Sequence, residues 1–331
     1  MWSFELADKI ELWKVLQFFF RTQWDSLHRY ANGLGIEIIG DIPIYPAADS
    51  VDVWTHRKLF KIGPDGMQTA CAGCPGDYFD PDGQYWGNPV YDWEANEKDE
   101  FTWWTRRIDW MFSLVDMLRI DHFRGFESYW EIPAGAAKAS EGHWEKGPGM
   151  KLIGLFKDRR IIAEDLGMIT DEVRELLAQS GFPGMRVAQF GFSFRPDGSF
   201  ESENTSLPHN HPINNVSYPG THDNDTIRGW YDTLDERTRD IVRRYLSCPD
   251  HEVATAMISR LISGPSKYVI MQMQDLLGLG SEGRMNRPST VGSSNWSWRF
   301  CPSMMQDWMI PWLREQNTLF GRVNIKRRIA K

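Results

Sequence analysis

The chain has 331 residues, 41% of them hydrophobic and 25% charged, with a formal net charge of −8. That length and balance suit one large folded domain or two ordinary ones and exclude a chiefly disordered chain. The acidic balance argues against nucleic acid as the main partner. No apolar run approaches the roughly 20 residues that span a bilayer, so no membrane partner is expected. Four cysteines are too few for a disulfide scaffold, and Met1 to Lys9 lack a basic region followed by an apolar stretch. A reducing, cytoplasmic location is the expectation.

In chain order, Ile10 to Phe20 reads as helical, and the amphipathic stretch Thr22 to Asn32 ends at Gly33, a helix-stop signal. A first apolar, partly β-branched run follows at Ile36 to Pro43, and others recur at Met117 to Phe123, Ile161 to Leu166, Met185 to Phe192, Asn215 to Tyr218 and Lys267 to Met273. Each reads as a mostly buried strand. Between them, Phe101 to Val115 has helical spacing, and Thr170 opens a segment with acids in its first turn. Leu234 to Leu246 and His251 to Ile262 are further helices. Strand then helix, repeated, predicts an α/β fold with a parallel sheet and helices outside it. Polar residues at the downstream ends of the strands favour a TIM-barrel arrangement over an open sheet. The segment 45–96, rich in Gly, Pro, Asp, Tyr and Trp, is too long for a simple connection and predicts an inserted lid or substrate-binding region.

Three strand ends carry acids. In the first, Arg119 and Asp121 are two apart in an extended strand and share a face. A cation there favours the charged carboxylate, which suits a nucleophile, although such a pair also serves as a structural stitch. In the second, Glu164 or Asp165 follows an apolar strand core, and either suits a proton donor with a raised pKa or a cap for the next helix. The third, Gly220 to Thr226, holds His222, Asp223 and Asp225, and Asp225 reads as a helix N-cap. Carboxylates on three successive strands suggest glycosyl transfer. The 16 Trp, 18 Phe and 10 Tyr fit that, because rings stack on the flat faces of sugars as well as filling cores. Neither G-x-G-x-x-G nor G-x-x-x-x-G-K-[ST] occurs, so no nucleotide cofactor is expected. His56, His122 and His222 are far apart and there is no H-E-x-x-H, so no metal is expected either. Cys71-Ala-Gly-Cys74 is a lone C-x-x-C in a Gly/Pro-rich stretch and reads as a loop thiol pair.

The segments that carry these acids resemble glycoside hydrolase family 77, the 4-α-glucanotransferases (amylomaltases or disproportionating enzymes) of the α-amylase clan. The matching stretches are Gly40 to Tyr45 with Asp49 to Trp54, Gly76 to Phe79 with Gly83 to Pro89, Arg119 to Gly125, Tyr129 to Pro133, Ala163 to Gly167, Gly220 to Thr226, Gln274 to Gly278, and Arg284 to Pro288 with Asn295 to Trp298. They occur in the family's order from about residue 18 to 300.

The resemblance implies Asp121 as nucleophile, Glu164 as general acid/base and Asp223 as the acid that stabilises the transition state. It implies that Arg119 orients the nucleophile, and that His222 and Asp41 bind sugar. Gln84 and Trp86 match a flexible loop over the cleft; Phe126, Tyr129 and Trp130 are acceptor-side candidates. The implied partners are α-1,4-glucans and malto-oligosaccharides, transferred with retention. An α-amylase-clan hydrolase or a non-catalytic glucan-binding fragment is the alternative. The implied fold is a (β/α)8 TIM-barrel type, incomplete, with about six of eight strands present and the insertion after the first of them. One truncated catalytic domain over 1–331 is the expected domain plan. Oligomeric state has no signature in the sequence.

Overall fold

The structure is a computed structural model that describes residues 2–76 and 82–323. Asp77, Tyr78 and Phe79 of the Gly76 to Phe79 motif lie outside the described residues. The described residues divide into two compact units, one of 2–76 with 82–182 and one of 183–323.

The first unit contains β1 (Ile39–Ile42), β2 (Ala70–Cys74), β3 (Gln84–Pro89), β4 (Met117–Ile120), β5 (Ser128–Pro133), β6 (His143–Lys146) and β7 (Ile161–Ala163). β1, β4 and β7 form a parallel sheet in that order, with Asp41 opposite Arg119 and Ile120 opposite Ala163. β7 is three apolar residues, all buried, as a strand covered on both faces requires. Against this sheet pack the helix Thr102–Phe112 and an aromatic core in which Trp104, Tyr91, Phe123 and Phe126 are almost fully buried. The helix Asp171–Ser180 follows β7. A second sheet is antiparallel, in the order β3-β2-β5-β6. The sequence did not predict it: two of its strands fall within 45–96 and two within 128–146. Its strands are short, β2 being of small residues and the others mixing polar and aromatic ones, and their identity as strands rests on pairing rather than on a β-branched apolar run.

The second unit contains β8 (Gly184–Val187), β9 (Asn215–Tyr218) and β10 (Tyr268–Val269), parallel in the order β10-β9-β8. Its core gathers Ile227 and Tyr231 from the helix Ile227–Thr233, Val242 from Glu236–Leu246, and Met257, Ile258 and Leu261 from Val253–Ile262.

Several expectations need correction. The two N-terminal helical stretches are one helix, Ala7–Gly33, and the left-handed glycine after it is Gly35 (φ 78°), not Gly33. The Lys267 to Met273 run yields only the two-residue β10, because Met273–Leu276 turns helical. Cys71 and Cys74 lie on β2, not in a loop, and both are free thiols. Asp225 is not the N-cap: Thr226 is, its hydroxyl accepting from the Gly229 amide at 3.0 Å. Asp225 instead accepts from the Thr226 amide and the Ser281 hydroxyl. Nor does Glu164 or Asp165 cap the next helix, whose N-cap is Thr170.

Candidate active site

In the first unit, the parallel strands deliver their polar residues to one place. β1 and β4 set Asp41 beside Arg119, and the Arg119 guanidinium reaches both Asp41 oxygens at 2.8 and 2.7 Å through Nη1. Its Nη2 donates to Asp121 Oδ1 at 2.7 Å. One nearly buried arginine thus links two carboxylates from neighbouring strands. Burial works against its charge, but Asp121, Asp41 and Glu164 outweigh that and hold the guanidinium protonated.

Glu164 follows β7 and is tied to the end of β4. Its amide donates to the Ile120 carbonyl at 3.1 Å and its carbonyl accepts from the Phe123 amide at 3.0 Å. Each carboxyl oxygen also accepts one amide, Oε2 from His122 at 2.8 Å and Oε1 from Leu166 at 2.7 Å. Burial is the main influence on its proton, and the Asp121 charge reinforces it. Together they outweigh Arg119 and the two amides and raise the pKa to about 8. Glu164 is therefore poised to hold a proton near neutrality.

Gln84 and Trp86 lie on β3, not in a loop. Trp86 Nε1 donates to Gln84 Oε1 at 3.0 Å, and the Trp86 ring meets His122 edge-on with centroids 4.9 Å apart. Trp86 therefore sits next to the residue that follows Asp121. Phe126 and Tyr129 are buried in the core, while Trp130 is half-buried, bonded to the Ala139 carbonyl and packed on Trp144. For Phe126 and Tyr129 packing is the role observed.

His222 and Asp223 belong to the second unit, on the loop after β9. Asn286 Nδ2 donates to Asp223 Oδ1 at 2.7 Å and Arg284 Nη2 to the Asp223 carbonyl at 2.6 Å. His222 Nε2 lies 3.4 Å from Asp223 Oδ2, and the Trp296 ring packs on the His222 ring at 5.1 Å. Within the loop, Asn224 accepts from both the amide and the hydroxyl of Thr221. A second buried acid, Asp275, accepts from the Ile227 amide at 2.7 Å and so caps that helix alongside Thr226. Burial raises its pKa to about 7.

A family model described as 4-alpha-glucanotransferase, glycoside hydrolase family 77, matches residues 1–304. The chain belongs to glycoside hydrolase family 77. It is 48% identical over 326 residues to the 4-alpha-glucanotransferase of Streptococcus pneumoniae, covering 97% of this chain and 63% of that relative. It is 42% identical over 325 residues to the enzyme of Clostridium butyricum, covering 96% and 65%. An amylomaltase from Streptococcus agalactiae, solved in complex with acarbose, superposes with a TM-score of 0.92 at 40% identity, covering 97% of this chain and 65% of that one. The chain therefore spans less than two thirds of the length of these relatives.

Sequence reasoning passed over three residues, His122 in the first unit and Arg284 and Asn286 in the second. Arg284 and Asn286 stood in a matching motif, but nothing in the text of the chain showed that they grip Asp223. His122 lay between recognised residues and offered no signal of its own, since its contribution is a backbone conformation. Among the described residues, no group of three or more His, Cys, Asp or Glu side chains could hold a metal ion. Among the described residues no helix is long and apolar enough to cross a membrane.

Proposed function

We propose that the chain carries out retaining transfer of α-1,4-glucan segments from a malto-oligosaccharide donor to the 4-hydroxyl of a sugar acceptor. The observation that carries this is the pairing of Asp121, gripped by Arg119, with a buried, protonated Glu164 at the end of the adjacent strand, in a family-77 chain. Asp121 attacks the anomeric carbon while the Glu164 proton passes to the departing glycosidic oxygen. The bond to that oxygen breaks and a glycosyl ester forms on Asp121. Glu164, now ionised, takes the proton of an incoming sugar hydroxyl, which displaces Asp121 and regenerates both groups. Two inversions at one carbon retain the α-configuration.

Asp223 is assigned to stabilising the oxocarbenium-like transition state, with His222 and Asp41 on sugar hydroxyls and Gln84 and Trp86 against the donor glucan. The alternation of parallel strands and helices in each unit supports a (β/α)8-type barrel plan with about six strands, and 45–96 as its inserted substrate-binding region. An acarbose-bound amylomaltase at 40% identity supports an oligosaccharide substrate class. Four free thiols support a reducing, cytoplasmic setting.

The test is incubation with maltotriose. Glucose plus maltopentaose and longer products is the expected outcome. Glucose and maltose alone would make the chain a hydrolase, and binding of maltoheptaose without turnover would make it a glucan-binding module. Asp121→Asn should abolish transfer while malto-oligosaccharide binding persists. Glu164→Gln should lower kcat by about 10²–10⁴-fold.

A further inference from the structure

His122, the residue after Asp121, has φ 53° and ψ 49°, in the left-handed region. L-residues enter that region at a cost, and an instance directly after the candidate nucleophile calls for a cause. Its side chain offers none: Nε2 is buried without a hydrogen-bond partner, and the ring only packs against Trp86. The ring is also held neutral, because burial lowers its pKa to about 4 despite the nearby Asp121. The backbone offers a cause. A left-handed residue turns successive amides toward one concavity. Here the His122 amide reaches the Glu164 carboxyl at 2.8 Å and the next amide, of Phe123, reaches the Glu164 carbonyl at 3.0 Å.

We infer that His122 is a positioning residue whose left-handed turn, immediately after Asp121, fixes the Glu164 carboxyl against the strand end that carries the nucleophile. Changing the preference of position 122 for that conformation shifts Glu164, whereas removing the imidazole alone does not. The inference rests on the reading of Glu164 as proton donor. The charged and titratable groups that face Glu164 are Asp121 and Arg119, with Asp41 behind Arg119; all stay in place in the variants below.

The experiment follows the Glu164 carboxyl directly, by NMR titration of protein labelled with ¹³C at the glutamate carboxyl carbons, its signal assigned by its absence in Glu164→Gln. His122→Asn keeps a residue that tolerates the left-handed region and removes the imidazole. His122→Val presents a β-branched side chain that resists it. The amide bond favours the ionised carboxyl, so its loss moves the titration point upward. Expected are a parent midpoint near 8, little change in His122→Asn, and a rise of about one pH unit in His122→Val. If His122→Val does not fold, His122→Ala provides the same comparison. A normal parent midpoint with the variants unmoved from it overturns the proton-donor reading itself. A raised parent midpoint that stays unchanged in His122→Val or His122→Ala overturns the role of His122 alone, as does an equal rise in His122→Asn.

Discussion

At the scale of single residues, the balance of charges around Glu164 has a consequence for stability. An ordinary glutamate ionises near 4.3 in an unfolded chain. In the folded protein Glu164 keeps its proton up to about 8 because it is buried beside Asp121. The folded state therefore binds an extra proton between these values, and the stability this group contributes is lost as pH rises through that window. Asp275, raised to about 7 by burial, adds a slope of the same sign at lower pH. His122 and His211, both lowered to about 4 by burial, act oppositely: they cost stability as pH falls from about 6.5 through 4. Above pH 7 only the Glu164 slope persists among these four. Glu164→Gln should flatten the decline between pH 7 and 9, because an amide does not titrate there, and should leave the variant about 1–3 kcal/mol less stable than the parent at pH 7, because its NH2 faces the donor of the His122 or Leu166 amide. Urea unfolding at half-unit pH intervals measures this; parallel parent and variant curves would contradict it.

At the scale of elements, the long first helix is attached through its C-terminal half. Trp24 Nε1 donates to the Leu114 carbonyl at 2.8 Å. Asp116 takes three donors there, the His28 ring at 2.9 Å, the Asn32 amide group at 2.9 Å and the Ile38 amide at 2.8 Å. It thus fixes the helix and the entry to β1 at one carboxylate, and Asp41 sits on that strand. Burial alone would raise its pKa, but the donors outweigh burial and lower it. Asp116→Ala removes the shared acceptor and should cost about 1.5–3 kcal/mol, with Asp121 and Glu164 left in place. Thermal unfolding checks the size of the effect, and no change in Tm would show that the three bonds contribute nothing net. The same lesson applies to β2, β3, β5 and β6. Gln84, Trp86 and Cys71 looked like loop residues because their segments alternate no apolar pattern, and only pairing with partners 10 to 63 positions away makes them strands.

At the scale of the molecule, the other half of the first helix stands out. Trp13 is 64% exposed, and Phe18, Phe19 and Phe20 are all more than half exposed, with no residue of the helix buried. Apolar surface of this kind promotes association. Trp13→Glu with Phe19→Glu should therefore change the unfolding free energy by less than about 0.5 kcal/mol and reduce self-association in sedimentation velocity; a large loss of stability would mean that these rings are packed in solution. Much of the molecule was legible from the chain alone. β9 falls on Asn215–Tyr218, and β1, β4, β7 and β8 fall within or beside their predicted runs, because each carries apolar, partly β-branched residues that favour a buried strand. The nearness of Arg119 to Asp121 was equally legible from their spacing of two, although β4 ends at Ile120 and Asp121 is the residue just beyond it. What the chain could not reveal was which partners meet across sequence distance. That Arg119 also clasps Asp41, that the amides of His122 and Leu166 hold Glu164, and that Asn286 and Arg284 hold Asp223 are contacts between segments 2 to 78 positions apart. Local sequence encodes propensity and periodicity, which depend on near neighbours; the protonation of Glu164 depends on burial and on charges brought in from another strand, and those exist only once the chain is packed.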